Sequence, residues 1–137
     1  MEAMDARAEH ERGLTAFLER DQARRVAALL ASARGRAKVI GMLAHSLRFV
    51  PERGLKVPPG RQTPEGILAL LKQAGAGSTC YVISEQTELD GSLMPVADAL
   101  DRVVGHGYGT FLSCLPGKLG YYEAEDQDER YLLRSPR

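Results

Sequence analysis

At 137 residues, 44% hydrophobic and 26% charged, the chain falls among ordinary globular proteins and outside the disordered, collagen-like and membrane classes. Its two cysteines, Cys80 and Cys114, stand in no CxxC or Cys/His ligand pattern, which argues against a disulfide scaffold or zinc knuckle. No stretch approaches the roughly 18 apolar residues of a membrane helix, and the N-terminal MEAMDARAEHERG lacks an apolar leader core, so a cytoplasmic location is expected.

The formal net charge of zero conceals a division along the chain. Nine bases lie between Arg24 and Arg61 against one acid, Glu52, for a local charge of about +8. From Glu85 onward ten acids face five bases, about −5.

From Gly13 to Ala33 apolar residues recur at three- and four-residue steps (Leu14, Phe17, Leu18, Val26, Leu29, Leu30), which predicts an amphipathic helix interrupted in its stripe by Asp21 and Gln22. Residues before Gly13 can extend it but offer little to bury. Gly35 is the expected break or kink. A second face of Ala37, Ile40, Leu43, Ala44 and Leu47 ends near Phe49, because Pro51 disfavours helix at Val50. Residues 50–62, with three prolines and two glycines, read as a connection.

Thr63-Pro64-Glu65 is a helix start: a capping hydroxyl, a proline suited to the first helical position and an acid at the positive dipole end. That helix should run to Ala74. Cys80–Ser84 reads as a central strand, Asp90-Gly91 as a turn, and Met94-Pro95 as the start of a helix stopping at Gly105. Thr110–Leu115 and Leu119–Glu123 form a hairpin about Pro116-Gly117-Lys118, and an acidic loop leads to a last strand, Arg130–Leu133. The expected fold is α+β in two layers: N-terminal helices, then a small mainly antiparallel sheet with helices packed on one face. We expect one domain over 1–137, with a helical part at about 13–49, the connection at 50–62 and an α+β part at 63–134.

No motif specifies a reaction, and neither a cofactor nor a metal is expected. Gly105-His-Gly-Tyr-Gly109 invites a phosphate-loop reading, yet it follows a helix and opens a strand, the reverse of the dinucleotide fingerprint. Glu85, Asp90, His106 and Cys114 are weak catalytic candidates: carboxylates at a strand end, and a thiol that a histidine can activate if the fold brings them together. The stronger hint is the basic stretch Arg24, Arg25, Arg34, Arg36, Lys38, Arg48, Arg53, Lys56 and Arg61, which suits a partner protein's acidic surface or a phosphate backbone.

The leading expectation is a non-enzymatic protein–protein interaction module, of a regulatory, adaptor or immunity type, that uses opposed basic and acidic surfaces to bind another protein or itself. The alternatives are nucleic-acid binding through residues 24–61, and a small hydrolase or nuclease built on the four weak candidates.

Overall fold

Strands β2 (Thr79–Ser84), β4 (Thr110–Leu115) and β5 (Leu119–Glu123) are almost wholly buried along their length, with no alternation between core and solvent. A strand with both faces buried requires cover on both sides. In the computed structural model, which describes residues 2–126 and 128–135, two helical layers provide that cover. The strands, with β1 (Gly54–Lys56), β3 (Leu93–Pro95) and β6 (Arg130–Arg134), make one antiparallel sheet in the order β1-β6-β5-β4-β2-β3.

On one face α4 (Pro64–Gln73) and α5 (Val96–Val103) bury Ile67, Leu71, Ala99 and Leu100 against Val82, Leu112, Tyr121 and Leu132. The strand residues are consecutive register partners across β2, β4, β5 and β6, so the pleat puts them in one row. Thr63 caps α4 as its sequence predicts, its hydroxyl accepting the Gly66 amide at 3.0 Å.

The neighbouring row, Ile83, Phe111, Tyr122 and Tyr131, faces the opposite way. There it meets Leu14, Phe17, Val26, Val39 and Leu43 from the N-terminal part. The sheet is therefore the middle of three layers, one more than expected, because the apolar content of β2, β4 and β5 serves two faces.

That N-terminal layer is three helices, α1 (Glu2–Gly13), α2 (Arg20–Leu29) and α3 (Ala33–Met42), with a 3-10 turn at Leu14–Phe17. The helix expected across 13–33 is interrupted at Leu18, whose backbone is extended at φ −92° and ψ 154°. Tertiary pairing overrides propensity there: Leu18 bridges Phe49, the Glu19 amide donates to Arg48 O at 2.9 Å, and the Val50 amide donates to Phe17 O at 2.9 Å. Gln22, an interruption of the apolar stripe, is buried as a clamp, donating to Ser46 O at 2.8 Å and accepting the Arg48 amide at 2.6 Å.

Gly35 lies inside α3, and the break falls before Ser32, whose hydroxyl caps the helix through the Gly35 amide at 3.0 Å. A Cβ at Gly35 would stand 2.0 Å from Leu29 O, so the glycine permits the tight α2–α3 corner. The connection at 50–62 contains β1, whose three residues pair with β6 between flanking prolines that a ladder would not accept. Met94-Pro95, read as the start of a helix, lies instead in the edge strand β3, which hands over to α5 at Val96. No helix among the described residues is long and apolar enough to cross a membrane.

Candidate functional site

The four weak catalytic candidates occupy different surroundings, and no hydrogen bond or ion pair among the described residues joins any two of them. Asp90 is held by Arg36, whose Nη1 and Nη2 donate to its two oxygens at 2.7 and 2.9 Å, and it accepts the Ser84 amide at 3.1 Å. Glu85 accepts the Gly109 amide at 2.6 Å. Its carboxyl is raised from the usual range by burial first; Glu125 adds to the rise, and the Gly109 amide and His45 oppose it. His106 is exposed, and Cys114 lies buried on the α4–α5 face beside Cys80. Burial pushes both thiols up to about 12, the opposite of what a thiolate nucleophile needs.

The glycine-rich loop does cradle an anion, but an internal one. Gly105 and Gly107 take φ of 81° and 80°, a region open to glycine, and the Gly105 amide donates to Glu123 at 2.9 Å. Glu123 is fully buried, accepts the Tyr121 hydroxyl at 2.7 Å and lies 3.5 Å from Arg130 Nε. Burial raises its carboxyl despite the opposing pull of Tyr121, Arg130 and the loop amides.

The basic stretch divides. Arg36 is paired with Glu11 and Asp90, Arg48 with Glu19 and Asp21, and Arg53 donates to Ala16 O at 2.6 Å. Arg24, Arg25, Arg34, Lys38, Lys56 and Arg61 are exposed and make no ion pair among the described residues. The bases left exposed and without an ion pair among the described residues are therefore fewer than the run suggests, and four of the six lie on α2 and α3.

A different feature has the form of a binding site. Past α3 the chain is pinned to the sheet at two carbonyls: the Tyr122 hydroxyl donates to Leu43 O, and the Glu125 amide donates to Ala44 O at 2.9 Å. His45, Leu47 and Phe49 are thereby carried over the β5–β6 end of the sheet, and together with Pro51, Gly54, Tyr122, Ala124, Asp126, Glu129 and Tyr131 they line a cleft of about 460 Å³. Nothing in comparisons with protein-family models, curated proteins or solved structures matches the chain.

Three rings in mutual contact form one side of the cleft. Phe49 meets Tyr122 edge-on at a centroid distance of 5.0 Å and Tyr131 at 5.8 Å, and Tyr122 and Tyr131, register partners, stand 6.4 Å apart. The 124–129 loop supplies carboxylates, of which Glu129 accepts the Tyr131 hydroxyl at 3.0 Å and Asp126 accepts the Asp128 amide at 3.1 Å. Neither acid makes an ion pair among the described residues. The tyrosine hydroxyls register the negative surroundings. Tyr122 is raised by burial and then by Glu129 and Glu85, and Tyr131 by burial and then by Glu129.

In the sequence these acids read as an acidic loop before the last strand, and no motif singles out the rings. The hairpin offered a signal: Tyr122 and Tyr131 are equidistant from the centre of their connecting loop, so strand pairing must set them side by side. Phe49 had no such signal, since only the tertiary bridge to Leu18 brings it there.

Proposed function

We propose that the protein is a non-enzymatic interaction module, of a regulatory, adaptor or immunity kind, that docks a basic segment of another protein at the cleft lined by Phe49, Tyr131, Asp126 and Glu129. The observation that carries this reading is a preformed concave site with an aromatic side and two carboxylates that make no ion pair among the described residues. Clefts of this size with a few convergent polar groups are the usual form of binding sites, and aromatic anchors beside complementary charge are the usual energetic centre of an interface. The scatter of Glu85, Asp90, His106 and Cys114 supports the non-enzymatic side of the reading. Free thiols at Cys80 and Cys114 suit a reducing, cytoplasmic setting.

The test is fluorescence anisotropy with labelled basic, acidic and neutral peptides, titrated with protein from about 50 to about 200 mM salt. Basic peptides should bind with an affinity that falls as salt rises, and acidic ones should not. Equal binding of all three, or none, removes the reading.

A second reading, nucleic-acid binding, is favoured by Arg24, Arg25, Arg34 and Lys38, which are exposed and make no ion pair among the described residues. It predicts that labelled DNA or RNA binds in the same assay with a steep salt slope, and that alanine at these four positions flattens the slope.

A further inference from the structure

We infer that the cleft is a pocket for an arginine side chain, presented by the basic partner segment of the proposed function, on which this inference rests. Two observations select arginine among cations, and a third bears on affinity. The rings of Phe49, Tyr122 and Tyr131 pack on one another at centroid distances of 5.0 to 6.4 Å with Tyr122 itself buried, so the aromatic surface offered to a ligand is that of the half-buried Phe49 and Tyr131, on one side of the cleft. A quaternary ammonium is recognised by rings that stand apart and enclose it, whereas a planar guanidinium needs only one aromatic surface to lie on.

Carboxylates stand on the same cleft as this surface. Asp126 and Glu129 each commit one oxygen to a bond within the chain, at Oδ1 and Oε1, which leaves Oδ2 and Oε2 unbonded among the described residues. A guanidinium stacked on a ring directs its N–H groups outward in its own plane, toward acceptors at the edge; a trimethylammonium has no N–H to offer, and a lysine ammonium has no plane to stack. The volume of about 460 Å³ is ample for one such side chain with its backbone.

The third observation is rigidity. Phe49 is fixed by the antiparallel bridge to Leu18, Tyr122 by its hydroxyl on Leu43 O, and Tyr131 by Glu129, so the aromatic surface exists before any ligand arrives. Ordering these rings is not left for the moment of binding.

The experiment compares four labelled peptides, identical except for one repeated residue: arginine, lysine, trimethyllysine or the neutral isostere citrulline. Each is titrated with the wild-type protein and with Tyr131→Leu and Glu129→Gln, the first keeping apolar bulk and the second keeping an acceptor for Tyr131. Arginine should bind about tenfold more tightly than lysine, citrulline should lose the binding, and each variant should weaken the arginine peptide by about fivefold to tenfold. Equal affinity for arginine and lysine, unchanged by either variant, overturns the pocket but leaves the basic-partner reading in place. Failure of every cationic peptide overturns both. Preference for trimethyllysine overturns the guanidinium assignment. A dimer of the protein alone in sedimentation, dissociated by Tyr131→Leu, gives the cleft to a second copy and also overturns it.

Discussion

Arg36 in the first turn of α3 grips Asp90 of the β2–β3 turn through two parallel hydrogen bonds of 2.7 and 2.9 Å, and its Nε holds Glu11 of α1 at 2.8 Å. One side chain therefore ties two helices to the sheet, and Tyr81 of β2 completes the node by donating its hydroxyl to Glu11. The guanidinium is held charged, chiefly by its hydrogen bonding to Asp90.

Because the three charged partners are only 16 to 24% exposed, the pair is stronger than a surface ion pair and weaker than a fully buried one. We expect Arg36→Ala to lower stability by about 2 kcal/mol, Asp90→Ala by a similar amount, and the double variant by clearly less than their sum. Arg36→Lys should recover only part, since an ammonium cannot make the two parallel bonds. Urea unfolding measures this. An unchanged midpoint in Arg36→Ala would instead make Arg36 a free ligand-binding base.

Glu123 and Arg130 form the most enclosed ion pair among the described residues, with side chains 1 and 8% exposed. Glu123→Ala leaves Arg130 buried with the Gln62 amide oxygen, at 3.3 Å, as its one side-chain hydrogen-bond partner among the described residues. Such orphaning typically costs about 3–5 kcal/mol, whereas replacing both partners by apolar residues is often neutral. Glu123→Leu with Arg130→Met should therefore be more stable than Glu123→Ala alone in chemical denaturation. If the double variant is the weaker of the two, the pair is a net stabiliser and the orphaned charge is not what matters.

The contrast between these two nodes explains what was legible beforehand. Thr63 and the 110–123 hairpin were readable because their determinants lie within a few residues: a hydroxyl three positions from the amide it accepts, and a Pro-Gly turn between two apolar runs. The Arg36–Asp90 pair spans 54 residues, so its bases and acids read as opposed charge blocks and not as a clasp. The residues before Gly13 read as a helix extension with little to bury for a related reason: His10 and Glu11 dock α1 by polar contacts, and apolar periodicity does not register these. The cleft needed both kinds of information at once, a hairpin register and a long-range bridge, and only the first was in the local sequence.

The thiols give a check on the α4–α5 face. Cys80 and Cys114 are 1 and 7% exposed, and burial holds each thiol near 12. A thiolate-directed reagent such as a dithiobis-nitrobenzoate should label neither cysteine in the native protein near neutral pH, and both once urea unfolds it. Rapid native labelling of Cys114 would show an opening of this face and would return the residue to the list of reactive groups.

His10 makes the docking of α1 depend on pH. Its ring stacks on Tyr81 at 5.6 Å and its Nδ1 lies 2.6 Å from Ser113 Oγ, in a site whose burial lowers its pKa below the usual 6.5 against a weaker upward pull from Glu9. A histidine lowered by folding contributes stability that is fully present above 6.5 and is lost as pH falls through the folded value, since the unfolded chain then takes up the proton more readily. Glu123 acts in the opposite sense: its raised carboxyl makes the fold more stable at low pH and less so as pH rises through its folded value. The two effects are separable by location. In hydrogen exchange, corrected for intrinsic rates, α1 amides should lose protection between about pH 7.5 and about pH 5.5 while the β4–β5 hairpin keeps its own. His10→Gln, which keeps a hydrogen-bonding group but cannot titrate, should abolish the pH dependence in α1. The same loss in that variant would mean that the release of α1 belongs to the carboxylates of the Arg36 node and not to His10.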